Sequence, residues 1–155
     1  MNSRVGSKNI PLHQQDSAYN ARMRRRGWLI FWILAIIFPT AVVGRFSLSF
    51  RKAFDAIFAP TWMHVLMHAL LFAGLGMILM LTFRLPLSPR TGAVILGVVL
   101  GVGLLQEGFQ AFSQGFFSLG GTLFDLGVDL AGGLAGFMLM GWMRRSPGRT
   151  ERPDS

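Results

Sequence analysis

Apolar residues fall into four long runs, each bounded by polar, basic or proline-containing segments. A helix needs about 20 predominantly apolar residues to cross the hydrocarbon core of a bilayer. The runs cover residues 27–44, 62–83, 92–112 and 123–143. The pattern therefore predicts an all-α, polytopic membrane helical bundle with four transmembrane helices.

The composition agrees with a membrane location. Hydrophobic residues make up 52% of the 155-residue chain and charged residues 14%, against about 25% charged residues in soluble domains. The net charge of +8 alone would suggest nucleic acid, but the arginines lie mainly at the ends of apolar runs. Membrane topology explains that placement, so no nucleic-acid partner is predicted. The chain has no cysteine, which excludes disulfides, cysteine zinc sites and thiol nucleophiles.

Basic residues also predict the orientation. Four spans place both ends of the chain on one side of the membrane, and that side holds twelve of the 15 Lys and Arg residues. Cytoplasmic loops are basic, so both termini are predicted to be cytoplasmic in a multi-pass protein of the bacterial inner (plasma) membrane. Residues 1–26 are predicted to be a disordered basic tail, 27–143 the membrane domain and 144–155 a second basic tail. Residues 45–61 are predicted to form an amphipathic segment on the outer surface.

Small residues suggest how the spans pack. Gly97 and Gly101 form a GxxxG motif in the third span, and Gly132 and Gly136 form another in the fourth. Such motifs allow helix backbones to approach closely in lipid. The short connection between these spans predicts that they are antiparallel neighbours.

Ionisable side chains inside the spans lie at matching depths. At a rise of about 1.5 Å per residue, His68, Glu107 and Asp129 lie about 8 to 9 Å below the outer surface. A second layer, nearer the water, holds His64, Gln110 and Asp125. An acid at the centre of a membrane helix costs roughly 2.5–3.5 kcal/mol on insertion scales. We therefore expect these side chains to face one another in a polar pocket that opens to the outer surface.

The spacing of these residues leaves three chemical interpretations open. The histidine pair and the aspartate pair are each four residues apart, so each shares one helical face. With the carboxylates, the histidines could bind a divalent metal, although Val65 stands where the zinc-protease motif has its glutamate. They could instead perform acid–base work or relay protons, or simply fix helix register. No cofactor is predicted, since Gln106 occupies the third glycine position of the dinucleotide fingerprint.

The same residues resemble a known family. His68 is followed at helical spacing by Phe72 and Leu75, and Glu107 and Gln110 precede an acidic pair and a glycine-rich span. This order resembles the VanZ-like family of small bacterial membrane proteins over roughly residues 62–140. The founding member is linked to teicoplanin (glycopeptide) resistance, so the resemblance implies a cell-envelope role but supplies no reaction. The acidic–basic pair that usually precedes the family's histidine is replaced here by His64 and Val65.

The favoured function is binding or modification of an envelope lipid or glycolipid headgroup at the outer leaflet. In this hypothesis the catalytic candidates are Glu107, Asp129 and His68, and the binding candidates are His64, Gln110 and Asp125. Whether the protein is an enzyme, and whether a metal binds, stays open. Membrane lipids are the expected partners. The alternatives are a proton- or cation-coupled transporter, which would be a homodimer because four short spans enclose little volume, and a structural partner subunit of an envelope enzyme.

Overall fold

The computed structural model describes residues 12–37, Lys52 and residues 60–145. In this part the chain is all-helical, as predicted, with α1 at Leu12–Ile37, α2 at Thr61–Phe83, α3 at Pro89–Gln114 and α4 at Leu119–Arg145. Three helices, α2, α3 and α4, are long and apolar enough to cross a membrane. The predicted first span runs beyond Ile37 into residues outside the described ones. Most of the predicted surface segment at 45–61 and the ends of both predicted tails also lie outside them.

Helix α1 begins earlier than predicted. It starts at Leu12, so residues 12–26 are helical where a disordered tail was expected. These residues include no glycine or proline, and extending a helix that has already nucleated costs little. Trp32 Nε1 donates to the Leu71 carbonyl oxygen at 2.9 Å, and Arg25 Nη1 donates to the Leu81 carbonyl oxygen at 3.4 Å. The two contacts place α1 antiparallel to α2.

Local capping explains the two tight connections. Helix α2 ends at Phe83, and the residue that follows, Arg84, caps it in a left-handed conformation with φ 50°. Ser88 caps α3 by accepting a hydrogen bond from a backbone N–H three residues on, and Pro89 occupies the first turn, where its missing N–H costs nothing. Gly115, with φ 68°, ends α3, and Ser118 Oγ accepts a backbone N–H of the first turn of α4. The short connections make α3 antiparallel to both of its neighbours.

Helix α4 packs backbone to backbone on α2, and the two run parallel. A Cβ added to Gly132 would lie 2.5 Å from the Ala69 carbonyl oxygen, and one added to Gly136 would overlap the Ala73 carbonyl oxygen. The GxxxG motif of the fourth span therefore joins α4 to α2.

The other GxxxG motif faces away from the bundle. Gly97 and Gly101 are exposed, and an added Cβ at either would meet nothing within 4 Å among the described residues. Helices α3 and α4 are antiparallel neighbours, as predicted, but through different positions. Gly133 packs on the Val99 side chain, and Gly103 packs on Leu126.

The apolar core lies between the helices, toward the end where α2 finishes. Its most deeply buried side chains are Phe72, Leu75, Met80, Ile95 and Val99. Arg25 and Arg144 also lie at this end, and the latter donates to the Leu85 carbonyl oxygen at 2.7 Å. We call it the basic end of the bundle.

We expect Gly132→Ala and Gly136→Ala each to lower the free energy of unfolding by about 1–3 kcal/mol, the usual cost of overpacking. The clashing atoms belong to the backbone of α2, which cannot turn aside. Thermal unfolding in detergent micelles measures the effect. Gly97→Ala and Gly101→Ala are the matched controls and should be at least as stable as the parent chain, because alanine favours a helix more than glycine does. Equal behaviour of the two pairs would contradict the α2–α4 contact.

Candidate functional site

Two histidine–aspartate pairs join α2 to α4. His64 Nε2 lies 3.2 Å from Asp125 Oδ1, and His68 Nδ1 lies 2.8 Å from Asp129 Oδ1. Because the helices are parallel and both partners advance by four residues, each pair sits one helical turn from the other. The two imidazole rings are 4.4 Å apart between centroids. We call these two pairs the His–Asp ladder.

The deeper pair is enclosed by α3. His68 is 5% exposed and Asp129 is 1% exposed. Gln106 Nε2 lies 3.3 Å from His68 Nε2. An amide nitrogen only donates, so His68 Nε2 is the acceptor and Nδ1–H donates to the Asp129 carboxylate. The His68 ring is therefore held at both of its nitrogens.

The second carboxylate oxygen of Asp129 faces the backbone of α3. A Cβ added to Gly103 would lie 2.9 Å from Asp129 Oδ2. Among the described residues this buried oxygen has no hydrogen-bond partner. The missing side chain of Gly103 thus leaves room for Asp129, of whose two carboxylate oxygens only Oδ1 has a hydrogen-bond partner among the described residues.

Glu107 lies beside the ladder and not within it. Its Oε2 accepts a hydrogen bond from Thr122 Oγ1 at 2.9 Å, and its Oε1 has no partner among the described residues. The depth calculation grouped Glu107 with His68, but Gln106 is the α3 residue that contacts this histidine. Gln106 and Thr122 were not among the predicted site residues. Gln106 shares a helical face with Gly103, but only the structure shows that this face meets Asp129.

A cavity of about 120 Å³ opens beside the His64–Asp125 pair, between the end of α3 and the start of α4. Glu107, Gln110 and Asp125 line it together with Thr122, and aromatic residues of the connection form one wall. The volume is well below the roughly 300–1,000 Å³ of small-molecule pockets. At roughly 30 Å³ per water, it holds a few waters or one small charged group. We call this the acidic cavity.

No basic side chain within residues 60–145 lies near these carboxylates. The arginines of this range are Arg84, Arg90, Arg144 and Arg145, and they lie at the opposite ends of their helices from the ladder. The histidines are therefore the only described groups in 60–145 that can offset the acids locally. Four predicted site residues meet in the ladder, and the other two, Glu107 and Gln110, line the cavity that Asp125 shares.

No protein-family model, curated protein or solved structure matches this chain. Fold and site alone therefore define its class. Within the described residues it is an all-helical protein with three helices long and apolar enough to cross a membrane, two of which are joined by the His–Asp ladder.

A double-mutant cycle tests the deeper pair. His68→Leu leaves the Asp129 carboxylate buried without its partner, so we expect a loss of about 3–5 kcal/mol in the free energy of unfolding. His68→Leu combined with Asp129→Val removes both polar groups and should recover most of that loss. Asp129→Val alone completes the cycle, and denaturant unfolding in micelles measures the two single variants and the double variant. Additive losses would show that the two side chains do not interact.

Proposed function

We propose that the chain is a multi-pass protein of the bacterial inner membrane, of the VanZ-like kind, whose acidic cavity binds a cationic group of an envelope lipid or glycolipid headgroup. The observation that carries this proposal is the position of the cavity. It lies at the end of the bundle opposite the basic end and is walled by Glu107 and Asp125. The VanZ-like resemblance supports an envelope role and suggests glycopeptide resistance as the phenotype to examine.

The proposed topology has four spans with both termini in the cytoplasm. Arg25, Arg84 and Arg144 share the basic end, and the positive-inside rule puts that end in the cytoplasm. The acidic cavity then opens at the outer leaflet. In this topology α1 is the first span. Its Trp32 packs against Gly74 of α2, while Trp28 and Phe31 are exposed on the surface that would face lipid.

The charge and size of the cavity favour an amine as the group that enters it. Carboxylates repel a phosphate, whereas an ammonium group gains charge-assisted hydrogen bonds from them. The cavity volume of about 120 Å³ accepts such a group. Phe116 and Phe117 are largely exposed at its rim, where aromatic rings suit the membrane interface. The remainder of the headgroup would lie across these rings.

The His–Asp ladder could exchange protons with a group bound in the acidic cavity. In the proposal Glu107 and Asp125 hold the amine and Gln110 orients it, while His64 and His68 exchange protons and Asp129 orients His68. Histidine is the side chain that most often acts as a general acid or base, and a carboxylate partner orients its ring.

Coupled transport is less well supported by the described residues. A proton or cation would enter at the acidic cavity and pass along the ladder to Asp129. Beyond that point the described interior is apolar, with Phe72, Leu75 and Val99 fully buried. A single copy of the chain thus presents no polar path to the basic end within this part of the structure. No described contact specifically favours a structural subunit of a larger envelope enzyme.

The topology is testable because the chain has no cysteine. Gly120→Cys places a thiol on the exposed first turn of α4, where an added Cβ meets nothing within 4 Å among the described residues. Arg145→Cys places one at the other end of the same helix. We expect a membrane-impermeant maleimide to label the Gly120→Cys variant on spheroplasts and the Arg145→Cys variant only after permeabilisation. The reverse pattern would overturn the orientation.

Lipid selectivity tests the proposed ligand. We expect native mass spectrometry to show tighter binding of phosphatidylethanolamine than of phosphatidylglycerol with the same acyl chains. A hydrogen bond to a charged group contributes about 1.5–3 kcal/mol, so Glu107→Gln should lower that preference about tenfold or more. Glutamine retains an acceptor for Thr122, so the fold should survive. Gly101→Ala is the control and should keep the preference. No preference in the parent chain would contradict the proposal.

A further inference from the structure

We propose that His64, His68 and Asp125 bind a divalent transition-metal ion, for which Zn²⁺ is the best chemical match. Each residue offers one ligand atom, and these atoms all lie within 4.8 Å of one another. Ligands of one zinc ion sit about 2.0–2.2 Å from it, so small side-chain shifts bring the three atoms to bonding distance. Two imidazoles and one carboxylate match the three protein ligands of catalytic zinc sites, in which a fourth position stays open.

The partner of His68 supports a ligand role. Asp129 Oδ1 accepts the Nδ1–H of this ring at 2.8 Å, so Nε2 carries the lone pair that can bind an ion. A carboxylate behind a ligating histidine is the usual arrangement at metal centres, because it fixes the tautomer and raises ligand basicity. Gln106 Nε2 now contacts the same ring nitrogen at 3.3 Å, and the ion would displace this amide.

The charge balance of the site is the second line of argument. Glu107, Asp125 and Asp129 are buried, and no arginine or lysine of residues 60–145 lies near them. The two acids outside the proposed ligand set each keep a buried carboxylate oxygen without a hydrogen-bond partner among the described residues. Each acid is expensive at membrane depth, and a divalent ion supplies the missing positive charge.

The residues that hold the amine and the proposed metal ligands share only Asp125, although the two histidines assigned to proton exchange would also bind the ion. An ion and an amine would compete for this carboxylate, so each should weaken the binding of the other by the same factor. Glu107 belongs to the headgroup site alone, and His64 is a ligand of the ion. Variants at these two positions therefore separate the two proposals.

The test uses the whole chain, purified in detergent with any affinity tag removed and metal stripped. Titration with Zn²⁺ by calorimetry, and with Co²⁺ by visible absorption, should give one ion per chain. His64→Ala and Asp125→Asn should each abolish stoichiometric binding. His64 has a side chain only partly buried, at 37% exposure, so its replacement is the variant that should fold normally. Asp129→Asn should lower affinity about 10–100-fold, as loss of an outer-shell partner does.

Two controls complete the design. His13→Ala removes the one histidine outside the ladder and should leave binding unchanged. Glu107→Gln should keep the ion while losing lipid preference. Absence of stoichiometric binding, or full binding by His64→Ala, would overturn the metal site and leave the lipid measurement to decide the headgroup proposal separately.

Discussion

Two glycines allow α4 to lie directly on the backbone of α2, and the rest of the site depends on that contact. Histidine and aspartate side chains are short, so a 2.8 Å bond between His68 and Asp129 requires closely spaced helices. Lipid provides no hydrophobic drive between helices, so packing and interhelical hydrogen bonds hold them together. Gly132 and Gly136 allow the close packing, and the His–Asp ladder supplies the hydrogen bonds between the helices. Each would be weaker without the other.

Magnitudes suggest that the ladder does more than hold the helices together. An aspartate at the centre of a membrane helix costs roughly 2.5–3.5 kcal/mol, which is an upper figure for Asp129 because it lies nearer the outer surface. One hydrogen bond to a charged group returns about 1.5–3 kcal/mol. The bond from His68 therefore roughly offsets the cost of Asp129 but adds no clear surplus. The unpartnered Oδ2 beside Gly103 increases the deficit. A bundle selected only for stability would do as well with an apolar pair, which is why we assign this site a ligand.

Depth and helical spacing were sufficient to predict that the histidines meet Asp125 and Asp129, because parallel helices with matched i,i+4 pairs align in only one register. The depth of a residue does not show, however, which way its side chain points around the helix axis. Neighbouring residues differ by about 100° around a helix of 3.6 residues per turn, so Gln106 and Glu107 could not be distinguished by level. The two GxxxG motifs look alike in sequence, and only the fold shows which one packs. The polar start of α1 has no apolar period and therefore resembled a disordered tail.

The central claim is that His68 and Asp129 bond directly between α2 and α4 in the folded bundle. Magic-angle-spinning NMR on protein in lipid bilayers tests it most directly, with ¹⁵N-labelled histidine and ¹³C-labelled aspartate carboxyl groups. The account predicts a measurable dipolar coupling between His68 Nδ1 and the Asp129 carboxyl carbon, in keeping with the 2.8 Å separation of nitrogen and oxygen. The coupling should disappear in Asp129→Asn, where the labelled carboxyl group is absent. A folded, bilayer-embedded protein with no such coupling would contradict the account.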